Sequence, residues 1–144
     1  MRWLLVAVLL SFAGSAQADF SGTWSGTGSA EMTGNPFECP AMTLSLGQSS
    51  AMFQILGGDF HCQDLELSWG QVDIEIRAGE LWHEGAQIGS LTGDTFEVEE
   101  LTDDGKVLVV LKMRTTEAGT LAYEEEWYEG VERTLRIAAE FRKQ

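Results

Sequence analysis

Glu100, Tyr123, Glu125, Trp127 and Arg133 lie on neighbouring β-rich runs toward the C-terminus of this 144-residue chain. If Asp104-Gly105 turns a two-residue hairpin, Phe96 faces Met113, Val98 faces Leu111 and Glu100 faces Val109. A following hairpin centred on Glu117 sets Met113 against Leu121, Leu111 against Tyr123 and Val109 against Glu125. The two registers agree on one apolar face, to which the last hairpin adds Trp127, Leu135, Ile137 and Phe141. On that face Glu100 and Glu125 flank Val109 about 10 Å apart, two strand spacings, and Arg133 lies diagonally from Glu125. Charges turned inward must be paired, hydrated at a rim, or used by a ligand. The chemistry expected of this set is a polar anchor at the mouth of an apolar pocket, with Tyr123 and Trp127 as walls and Arg133 holding a negative group. The competing reading is a solvated rim, since the turns at 104–105 and 129–130 share one end of the sheet. Two carboxylates also suggest acid and base at a glycosidic bond, but register alone does not set the separation that chemistry requires.

Other chemistry finds little support. There is no Gly-x-Ser-x-Gly elbow, and a chain with only two histidines, His61 and His83, has little to offer a Ser-His-Asp assembly. Gly22, Gly26 and Gly28 are followed by no Lys-Ser or Lys-Thr and open no helix, so they suit a strand bending at a barrel corner better than a phosphate loop. No loop carries calcium-binding spacing. Cys39, His61, Cys62 and His83 lack the CxxC or HxxxH spacing of a metal site, and no cofactor is expected. Enzymatic motifs are absent.

The cysteines gain meaning from the N-terminus. Arg2 gives a basic start, Trp3 to Ala13 an apolar core too short to span a bilayer, and Ala16-Gln17-Ala18 a small-x-small cleavage pattern. Residues 1–18 therefore read as a secretory signal cut between Ala18 and Asp19, leaving 19–144 as one domain in the periplasm or medium. Asp19 is not the cysteine that bacterial lipoproteins acylate, so no lipid or other membrane anchor is expected. In an oxidising compartment Cys39 and Cys62 are expected to form a disulfide. The net charge of −14 repels phosphate backbones and anionic headgroups, which argues against nucleic acid or membrane surfaces as partners. Glu97, Glu99, Glu124 and Glu126 fall on the outward face, a solvated surface suited to a monomer.

From Phe20 onward, period-two runs such as Val72-Asp73-Ile74-Glu75-Ile76 and Thr95-Phe96-Glu97-Val98-Glu99 alternate with turn residues, and no amphipathic helix is evident. Turns are expected at 48–51, 63–64, 78–79, 84–85, 93–94, 104–105, 117–119 and 129–130. Met42, Leu44, Leu46, Phe53 and Ile55 read as core lining. The apolar phase slips between Leu65-Leu67-Trp69 and Val72-Ile74-Ile76, with Gly70 marking a bulge or a turn. Short connections make an antiparallel up-and-down meander, and closing it removes its edges, so the expected fold is an all-β barrel of about eight to ten strands. A loop over 33–40 separates the first two strands, too short for a helical lid.

Gly22-Thr23-Trp24 on the first strand, just after the signal segment, resembles the opening of lipocalins and other calycin barrels. The resemblance implies that Trp24 plugs the closed end and that a late-strand arginine, Arg136 or Arg142, packs over it. Avidins also open with Gly-Thr-Trp and run on to Gly-Ser, but here Gly28-Ser29 stands one residue too close and lacks the intervening Asn, so no biotin-binding residues are carried across. The function expected is binding of a small hydrophobic or amphipathic ligand. The alternative is an interaction module, an inhibitor or envelope accessory factor, that turns its acidic surface to a basic protein partner. Interior volume discriminates them: an open cavity favours the carrier, a filled one the module.

Overall fold

The computed structural model describes residues 18–144; the expected signal segment, residues 1–17 of it, lies outside the described residues. Alternating apolar side chains, β-branched residues and frequent two-residue turns leave antiparallel pairing as the way to satisfy the backbone. The strands are β1 (Gly22–Met32), β2 (Asn35–Gln48), β3 (Met52–Cys62), β4 (Leu65–Trp69), β5 (Val72–Arg77), β6 (Glu80–His83), β7 (Ala86–Thr92), β8 (Thr95–Leu101), β9 (Val107–Thr115), β10 (Thr120–Glu129) and β11 (Glu132–Lys143). Each pairs antiparallel with the next except β4 and β5, which both pair with β3, and β1 pairs with β11, so the meander closes into a barrel with ten strand positions. Strands β4 and β5 share one of those positions: Gly58↔Trp69 on β4 and Ile55↔Val72 on β5 continue one register along β3.

That shared position explains the phase slip. Leu56 is an extra residue on β3 opposite the Ser45–Leu46 step of β2, and the chain breaks between Trp69 and Val72 at the same height. Both strands change phase together, so Phe60 and Trp69 below one side of the break and Ile55 and Val72 on the other all point inward. The loop expected over 33–40 is shorter than anticipated. Only Thr33-Gly34 turns the chain, both with positive φ, and β2 starts at Asn35. Pro40 escapes the donor requirement of a ladder because it lies in a bulge, between Gly26↔Met42 and Gly28↔Cys39.

The interior fills unevenly. At the end carrying the 49–51, 78–79 and 93–94 turns, Phe20, Phe53 and Phe96 form a chain of rings with centroids 5.7 and 4.3 Å apart. Residues 18–21 fold across this end: Phe20 N–H donates to Gln48 Oε1, Gln48 Nε2 to the Ala18 carbonyl, and Ala18 N–H to the Gly93 carbonyl. Trp24 Nε1 donates to the Phe20 carbonyl at 2.8 Å, which sets the indole as a plug at the closed end. The cation over its ring is Lys143, 5.3 Å from the centroid, and not the arginine expected. Arg136 points outward to Glu124, because its register partner Glu126 belongs to the outer face, and Arg142 is exposed beside Thr120. A second aromatic group, Phe60 of β3, Tyr123 of β10 and Phe141 of β11, packs together inside the barrel. The expected disulfide, Cys39–Cys62, ties β2 to β3 toward the other end.

Candidate functional site

Strand β10 presents Tyr123, Glu125 and Trp127 as successive inward side chains. Glu125 is 2% exposed, yet its carboxylate is held by hydrogen bonds on both oxygens: Tyr123 Oη donates to Oε2 at 2.5 Å and Trp127 Nε1 to Oε1 at 2.7 Å. Burial pushes the Glu125 carboxyl above its ordinary range, against the pull of those donors. Burial and the adjacent carboxylate push the Tyr123 phenol well above its own, so it stays a donor. Trp69 Nε1 completes the chain by donating to Tyr123 Oη at 2.8 Å. In the ten-position ring β4 stands opposite β10, so this last bond crosses the whole bore of the barrel.

Trp69 thereby divides the open half of the interior. On the β5 to β9 side lies a cavity of about 280 Å³ walled by Ile55, Val72, Ile74, Ile88, Val98, Val109 and Leu111. At its mouth stand Leu101, Thr102 and Asp103 of the β8–β9 connection, with His83 and Glu100. His83 Nδ1 and Glu100 Oε1 are 2.5 Å apart, both half-buried. Their bond joins the β6–β7 hairpin to β8 where the wall is otherwise unpaired, since the β7–β8 ladder stops at Gly89↔Val98. On the other side of Trp69 a smaller cavity, about 90 Å³, is lined by Phe60, Leu67, Trp127, Leu135 and Glu125 among others.

Of the residues expected to act together, Tyr123, Glu125 and Trp127 share one cluster, while Glu100 and Arg133 lie apart from it. The β8–β9 register is as the sequence reading has it, with Glu100 opposite Val109. The β9–β10 register is displaced by two residues, because Thr116 to Gly119 form the loop and Thr116 N–H bonds the Thr120 carbonyl. Tyr123 faces Met113, Glu125 faces Leu111, and Trp127 takes the place beside Val109 expected for Glu125. A displacement of two preserves which side chains face inward but removes the two glutamates from a shared neighbour. Glu100 lines the larger cavity and Glu125 the smaller. Arg133 is not inside at all. Thr134 is an extra residue between Trp127↔Leu135 and Tyr128↔Arg133, and this bulge turns Arg133 out to Glu126 at 3.1 Å and Glu31 at 3.4 Å.

Two contributors escaped the sequence reading. Trp69 carried an inward phase, but its reach across the bore has no local signal. His83 sits beside a turn and gains its partner from a strand 17 residues away. Among the described residues no cluster of His, Cys, Asp and Glu is arranged to hold a metal ion. No protein-family model matches the chain, and no curated protein matches it either.

Proposed function

We propose that the protein is an exported calycin-type barrel that holds a small apolar or amphipathic molecule in the larger chamber. The observation that carries this reading is the chamber itself: about 280 Å³ of apolar-walled space in a barrel whose other end is packed solid with aromatic rings. Ligand sites are mostly apolar concavities with a few placed polar groups, commonly from about 300 Å³ upward, so this one suits a compact guest. His83, Glu100 and Asp103 at the mouth supply the polar contact for an amphipathic head. A barrel filled throughout by its own side chains would favour an interaction module; here the filling stops at Trp69. The calycin class is supported by the closed meander and by Trp24 at the closed end, and export by the disulfide together with the Arg2 to Ala18 pattern.

The test is a titration with linear alcohols of increasing length, followed by tryptophan fluorescence. Affinity should rise by about 0.8 kcal/mol for each methylene buried and then level off when the chamber is full. Ile88→Trp, which fills the chamber, should abolish the response while leaving the melting transition cooperative. Absence of saturable binding, or equal binding by the filled variant, contradicts the proposal.

A further inference from the structure

The smaller chamber has a chemistry of its own. Its one formal charge is Glu125, and among the described residues no lysine, arginine or histidine is ion-paired with it; the nearby Arg133 and Arg136 are engaged outside with Glu126, Glu31 and Glu124. Tyr123 and Trp127 orient the carboxylate without neutralising it, and each oxygen keeps acceptor capacity, since a carboxylate offers about four lone-pair sites. The space beside it, about 90 Å³, is bounded by the rings of Phe60, Trp69 and Trp127. A buried carboxylate without a counter-charge is costly. Ring faces carry negative potential and attract alkylated ammonium groups, above all where water is excluded. An anion entering here would meet both the carboxylate and the ring faces, and a neutral group would leave the charge uncompensated.

We propose that this second chamber binds a small organic ammonium group, its alkyl shell against Phe60, Trp69 and Trp127 and its charge answered by Glu125. The site reverses the polarity the sequence suggests, because the arginine expected to receive a negative group lies outside the barrel. It is separable from the apolar-ligand reading, since Trp69 is the partition between the two cavities and they share no other lining residue.

The experiment is a titration of the purified protein with tetramethylammonium or methylammonium chloride, read from the indole N–H resonances of Trp69 and Trp127. Controls are sodium chloride at equal ionic strength and tert-butanol, a neutral molecule of similar shape. The expected result is a saturable shift of both resonances by at least one ammonium salt and by neither control. Glu125→Gln, which keeps the shape and an acceptor for Trp127, should weaken it at least tenfold. Leu67→Phe, which narrows the chamber and leaves Glu125 intact, should weaken ammonium binding equally while alcohol binding in the larger chamber persists. No saturable shift, equal binding of tert-butanol, or unchanged affinity in Leu67→Phe overturns the proposal, and an alcohol response that survives any of these leaves the apolar-ligand reading standing.

Discussion

Glu125 sets the pH behaviour of the interior. Its carboxyl is held above the ordinary range by burial, so between the unfolded and the raised native values the folded chain keeps a proton that the unfolded chain has released, and above that window Glu125 is a carboxylate. Its contribution to stability is therefore complete below the unfolded value, near 4.5, and is lost as pH rises from there to the raised native value. Asp19, Asp94, Asp104 and Glu126 act in the opposite sense: hydrogen bonds and ion pairs hold them low, so their stabilisation is lost as pH falls below the ordinary carboxylate range. The two windows do not overlap. Subtracting the stability curve of Glu125→Gln from that of the native chain should leave a difference that changes only above pH 4.5, with the native chain losing ground as pH rises. A flat difference from urea midpoints measured across that range would show that Glu125 ionises inside the barrel as freely as outside. The face on which Glu125 lies was legible from parity alone. Its partners were not, because the bonds from Tyr123 and Trp127 depend on side-chain rotamers and the one from Trp69 on the diameter of the barrel.

The strands themselves were legible wherever two-residue turns link alternating runs, as at 63–64, 78–79, 84–85 and 93–94. Misreadings sit at a loop and a bulge that shift the pairing by one or two residues. The β9–β10 loop is built around Thr116 and Thr120, whose hydroxyls are 2.6 Å apart, and the four-residue loop moves the register without disturbing the alternation. The bulge at Thr134 is likewise silent in the sequence, yet it sends Arg133 outward. Close strand contacts impose their own limit. A Cβ on Gly28 would lie 2.2 Å from the Ala138 carbonyl oxygen, backbone against backbone, and relief would break the β1–β11 ladder. Gly28→Ala should therefore cost roughly 4 kcal/mol or more in equilibrium denaturation; a loss below 1 kcal/mol would show that β1 can move away. Replacing Cys39 and Cys62 together by serine should cost about 3 kcal/mol from loop entropy, with the β2–β3 ladder and the chambers retained. At the open end, the His83–Glu100 bond is the side-chain link across the seam between the β6–β7 hairpin and β8. Removing a hydrogen bond of ordinary net strength by His83→Ala should speed alcohol release by up to roughly tenfold in stopped-flow traces. An unchanged release rate would place the entry route elsewhere.

The whole molecule is a closed wall with a graded interior: solid aromatics at one end, and at the other two unlike cavities divided by an indole. Closure follows from the meander, since sheet edges are removed when β1 meets β11. Division follows from length. Trp69 sits where β4 ends, directly opposite β10, and its side chain with Tyr123 just spans the bore. Strand count, closure and the closed end could be read from turns, alternation and Gly22-Thr23-Trp24, whereas hollow space cannot be read from any pattern along a chain. Methyl NMR of the protein titrated with octanol tests the hollow chamber most directly. Saturable shifts are expected at Ile74, Ile88, Val98 and Val109 around the larger chamber, with Leu44 and Leu121 of the packed core unmoved. Shifts that fail to saturate, or that fall on the exposed Val131 in place of the chamber methyls, would contradict it.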